Sequence, residues 1–116
     1  MIEDKRILFG DEVLMNCKSL KNIQIPSFIK EIGKNAFNGC SFCSVIDIPM
    51  SVTKIGDFAF RNCSLLFQIT IPSSVTEIGN NIFDGCTSLK VVRIPKSLKT
   101  VENLGVEKDT VIKTYE

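Results

Sequence analysis

Histidine and tryptophan are both absent from this chain of 116 residues. Without histidine the commonest general base and the commonest metal ligand are lost together, leaving only Asp, Glu, Lys or Cys for catalysis. The expectation is therefore no enzyme, no metal and no other cofactor. An excess of charge of one sign is also missing: 14 Lys+Arg stand against 13 Asp+Glu. Binders of nucleic acid or of membrane surfaces normally carry a basic excess, so neither is expected as a partner. Long hydrophobic runs are lacking too, and nothing approaches the roughly 20 apolar residues that cross a bilayer. The opening Met1-Ile2-Glu3-Asp4-Lys5-Arg6 leads only into Ile7-Leu8-Phe9. That pattern does not read as a secretory leader, and a cytoplasmic location is the expectation.

What the sequence does have is a period. Cysteine falls at Cys17, Cys40, Cys63 and Cys86, each 23 residues after the last. Ile25-Pro26, Ile48-Pro49, Ile71-Pro72 and Ile94-Pro95 keep the same step, as do Gly33, Gly56 and Gly79, and Phe37, Phe60 and Phe83. Repeats 17–39, 40–62, 63–85 and 86–108 follow. Residues 1–16 fit half a repeat, with Phe9-Gly10 in the place of Ile32-Gly33 and Val13-Leu14 in the place of Ala36-Phe37. Residues 109–116 fit a capping strand, Ile112 and Tyr115 standing where Leu20 and Ile23 stand. The whole chain reads as a single repeat domain.

Within a repeat, apolar Leu20, Ile23 and Ile25 alternate with polar Asn22 and Gln24, the pattern of a strand with one face inward. Pro26 cannot donate to a ladder and ends it. Ile29 and Ile32 point in, with Gly33 expected to supply a turn. Asn35 to Cys40 then reads as one helical turn that brings Ala36, Phe37 and Cys40 inward. A lone coil encloses no core, yet ordering it costs roughly 1–2 kcal/mol per residue. Stacking coils in register buries both open sides and turns equivalent residues into columns. A repeat solenoid of β-rich coils is the fold this predicts.

The run Ile71-Pro72-Ser73-Ser74-Val75-Thr76-Glu77-Ile78-Gly79, followed by Phe83-Asp84-Gly85-Cys86-Thr87-Ser88-Leu89, resembles the BspA-like class of leucine-rich repeats. The resemblance covers nearly the whole chain. It implies a curved, right-handed solenoid with a parallel concave sheet, short second strands and helical turns. It also implies surface or secreted proteins that act in adhesion or bind host proteins, and it carries no catalytic residues. Ile82 in the place of Ala36 and Ala59, Cys43 in that of Leu20 and Leu66, and Glu102 in that of the glycine depart from the pattern.

Other constellations reduce to structure. Cys40-Ser41-Phe42-Cys43 has a zinc-like spacing, but no second pair or histidine completes it. Disulfides between neighbouring coils are disfavoured by a translation of about 5 Å where about 3.8 Å is wanted. Glu31, Lys54 and Glu77 share one register and alternate in sign. Lys21-Asn22, Lys90 and Lys113 read as solvated strand ends, and Asp11-Glu12 as a charged turn.

The residues that would face a partner are the outward ones of the concave sheet. These are Asn22, Gln24, Val45, Asp47, Gln68, Thr70, Val91 and Arg93, with Phe67 beside them. Phe67, Val45 and Val91 are apolar where water is expected, as contact sites often are. The alternative for Phe67 is that it folds over the strand edge. Phe28 is a second oddity, standing where serine stands in three coils. A non-catalytic protein-binding module is expected, with a structural protein that self-associates through its open ends as the rival.

Overall fold

The computed structural model describes residues 8–9, 21–98 and 103–116. Val13, Leu14, Cys17, Leu20, Asp11, Glu12 and Glu102, used in the sequence reading, lie outside them.

Alternation and proline placement give each coil a three-residue strand: β2 (Asn22–Gln24), β4 (Val45–Asp47) and β6 (Gln68–Thr70), with β8 (Val91–Pro95) longer. A two-residue strand follows in each turn of the solenoid: β1 (Leu8–Phe9), β3 (Glu31–Ile32), β5 (Lys54–Ile55) and β7 (Glu77–Ile78). The last strand is β9 (Val111–Tyr115). All pairings are parallel, as coils that translate without reversing must be. Glu31 pairs Lys54 and Lys54 pairs Glu77, each 23 residues on. Phe9 pairs Ile32, the register the half-repeat implied.

The columns are visible in the core. Ile25, Ile71 and Ile94 are buried, Ile48 partly so. Phe37 and Phe60 stack with centroids 5.4 Å apart and planes 2° from parallel, and Phe60 meets Phe83 at 5.7 Å. Such pairs add about 0.5–1.5 kcal/mol beyond their area burial. Beside them runs a column of thiols. Cys63 Sγ donates to the Phe37 carbonyl at 3.3 Å and Cys86 Sγ to the Phe60 carbonyl at 3.0 Å. Cys40, Cys43, Cys63 and Cys86 are buried. The hydrogen bond with Cys86, and then burial, push the Cys63 thiol far above its ordinary range, so it stays neutral.

Three expectations change in detail. The Asn35–Cys40 stretch is a chain of turns, with Ala36 N–H donating to Gly33, Asn38 N–H to Asn35 and Cys40 N–H to Phe37, so helical character is minor. Its left-handed residue is Asn35 (φ 56°), with Phe58 (57°) and Asn81 (53°) in the next coils. Gly33 opens the first of these turns, and the glycine column also serves close approach: a Cβ on Gly56 would lie 2.7 Å from the Lys34 nitrogen. At the far end, Ile112 pairs Val92 and Tyr115 pairs Pro95. The expected match of Ile112 and Tyr115 to Leu20 and Ile23 is therefore wrong by three residues. The final coil is shorter, 20 residues from Val91 to Val111, and a fixed period cannot reveal a deletion made in a loop.

Candidate partner-binding face

Strands β2, β4 and β6 each bury the middle residue and expose the two flanking ones. Asn22, Gln24, Val45, Asp47, Gln68 and Thr70 therefore look outward, because side chains alternate across a strand. Val91 and Arg93 are half-buried; β9 lies alongside β8, with Val111 opposite Val91 and Lys113 opposite Arg93. Phe67 is 55% exposed and Val45 45% exposed.

The sheet these strands form is interrupted. Strands β2 and β4 make one ladder, and β6, β8 and β9 make another. No backbone hydrogen bond joins β4 to β6, although Ile25 N–H donates to Asp47 and Ile71 N–H to Arg93 in the neighbouring pairs. At this break lies a groove of about 650 Å³, flanked by Val45, Asp47, Phe67, Gln68, Thr70 and Arg93. Six of the nine sequence-predicted residues thus meet in one place. Asn22 and Gln24 stay a coil away on the same face, and Val91 does not line the groove.

Ile48, Met50 and Tyr115 also line it and were missed. Met50 was detectable, since serine occupies its position in two other coils. Tyr115 was hidden by the three-residue shift. Its hydroxyl donates to the Ile71 carbonyl, and partial burial raises its pKa.

Charges sit at the ends of this groove. Arg93 Nη1 donates to Gln68 Oε1 at 3.4 Å. The second sheet differs. There Glu31, Lys34, Lys54, Asp57 and Glu77 line a smaller hollow of about 350 Å³, where Lys54 meets Glu77 at 3.8 Å. Among the described residues no group of three or more side chains could hold a metal, and no helix is long and apolar enough to cross a membrane.

A parallel stack of 23-residue coils with one broad open face is the architecture of a leucine-rich-repeat solenoid. The chain belongs to the BspA type leucine rich repeat region family, whose model matches residues 2–111 in six copies. Among solved structures it is similar to a leucine-rich repeat protein from Bacteroides ovatus, with 34% identity and a TM-score of 0.87 over 95% of this chain and 28% of that one. It is also similar to a leucine rich cell surface protein from Faecalibacterium prausnitzii, with 32% identity and a TM-score of 0.70 over 73% of this chain and 22% of that one. The pneumococcal vaccine antigen PcpA shares the fold at 21% identity and a TM-score of 0.80, over 91% of this chain and 28% of the antigen. The chain thus spans about a quarter of the length of these relatives. No curated protein matches it.

Proposed function

We propose that this chain is a non-catalytic protein-binding module whose contact face is the concave sheet, in a protein that acts at a cell surface in adhesion or host-protein binding. The observation that carries this reading is the groove at the β4/β6 break, where exposed Phe67, Val45 and Met50 lie beside polar Gln68 and Thr70. An apolar patch rimmed by polar groups on an otherwise solvated sheet is a common mark of a protein contact. Surface placement draws on the Faecalibacterium relative, described as a cell surface protein, and displaces the cytoplasmic expectation.

The test places a photoreactive phenylalanine at position 67 and, separately, at the exposed position 53 near the second sheet. Cross-linking to candidate host proteins is expected at 67 alone, and lost when Arg93 is also changed to alanine. Equal adducts at both positions would rule out the concave face.

A second reading, self-association, draws on β9. It is an outer strand of its sheet, and its Val111 and Ile112 are 50% and 43% exposed. Sedimentation velocity over a wide concentration range decides it: a monomer throughout ends the idea.

A further inference from the structure

Gln24, Asp47, Thr70 and Arg93 occupy one register position in four successive coils. Gln24 pairs Asp47 and Thr70 pairs Arg93. Paired strands lie about 4.8 Å apart, so the backbones of Asp47 and Arg93, two coils apart across the β4/β6 break, are separated by at least about 10 Å. Among the described residues no ion pair engages either side chain. Arg93 is held over the sheet by Gln68, and Thr70 stands uncharged between the two ends.

The groove is thus bipolar: acidic at coil two, basic at coil four, and apolar along its flank where Phe67 and Val45 lie exposed. Facing edges of β4 and β6 also leave main-chain groups without partners in each other, and such groups seek hydrogen bonds from whatever enters. From this arrangement we infer that the groove takes an extended peptide segment of a partner protein. The segment lies along the solenoid axis, with a basic residue on Asp47, an acidic residue on Arg93 three positions away, and an apolar residue between them on Phe67.

The three-residue spacing follows from geometry. A polyproline-II segment rises about 3.1 Å per residue with three residues per turn, so positions i and i+3 lie on one side about 9.3 Å apart. An ideal β-strand would put i and i+3 on opposite sides. A guest in the first conformation matches both the spacing and the sidedness of the two charges. This inference rests on the concave-face reading and adds the chemistry of the guest.

The experiment selects a displayed random peptide library on the intact chain, with Phe67→Asp as the counter-selection target. Enriched peptides are expected to carry Lys or Arg three residues from Asp or Glu with an apolar residue between. Their binding should fall at least tenfold in Asp47→Lys and weaken as salt rises. Re-selection on Asp47→Lys should exchange the basic residue for an acidic one. Peptides that depend on Phe67 but show no charge pattern and ignore Asp47→Lys overturn this inference and leave the concave face standing. Binders indifferent to Phe67→Asp overturn both. A library with no enrichment also overturns the peptide inference, as does binding to anionic vesicles or to arrayed glycans in place of peptides.

Discussion

One repeat builds both sheets of this solenoid, yet the second sheet runs unbroken from β1 through β3 and β5 to β7 while the concave sheet parts between β4 and β6. The columns of the two sides differ as well. On the second sheet β3, β5 and β7 repeat isoleucine, at Ile32, Ile55 and Ile78, with glycine next, and Phe9 takes that place in β1. On the concave side the run into the strand varies: Cys43-Ser44-Val45, Leu66-Phe67-Gln68 and Leu89-Lys90-Val91. The break falls where exposed apolar side chains, Val45 and Phe67, stand beside the two facing strands.

The strongest way to break this comparison is to attack what both sheets share. Phe60 lies in the middle of the aromatic column and is fully buried. Phe60→Ala is expected to cost about 3–5 kcal/mol, and denaturant titration should show both sheets lost in one transition. Next comes the unbroken side alone. Gly56→Ala would drive a Cβ into the backbone of Gly33 and Lys34 and should cost about 1–3 kcal/mol as overpacking. A stability change within error would show that the coils can spread freely there.

Hydrogen exchange sharpens the contrast directly. By the pattern of the other coils, the Phe67 and Ile48 amides are the ones that would bridge β4 and β6, and neither does. They should exchange at least tenfold faster than Lys90 and Ile71, which donate to Phe67 and Arg93. Equal protection would mean that the concave sheet is continuous. A smaller effect is expected at Phe58, a bulky residue in the left-handed region (φ 57°) where Asn35 and Asn81 stand in other coils. Phe58→Asn should raise stability by about 1 kcal/mol; the gain is reduced by loss of Arg61, whose guanidinium lies 5.3 Å from the ring. Smallest of all, Phe67→Lys, which copies Lys90, should shift the melting midpoint by less than about 0.5 kcal/mol equivalent.

Most of this fold was written in the period. Register, inward isoleucines, the phenylalanine column and the buried cysteines follow from a 23-residue step, because coils in register must place like on like. The outward identity of Val45, Asp47, Gln68 and Thr70 followed from alternation. The break between β4 and β6 was not legible, since ladder geometry depends on sub-ångström spacing that Cys43 against Leu66 does not specify by name. Close approach at the glycine column was not legible because glycine serves both turns and close contact, and only coordinates show that Lys34 crowds Gly56. Tyr115 was placed on the wrong rung because a shortened loop between Val91 and Val111 leaves no mark in the periodic residues.

The parted sheet has a mechanical consequence. Coils stacked along an axis share a pulling load in series, so tension is borne equally at every junction and the junction with the fewest bonds opens first. Here the second and third coils are held by β5–β7 and the turn contacts from Phe58, Phe60 and Asn62 to Asn80, Ile82 and Asp84, without concave rungs. On the concave side a pull along the axis therefore meets no backbone rungs between β4 and β6, and that side of the stack would part at the groove.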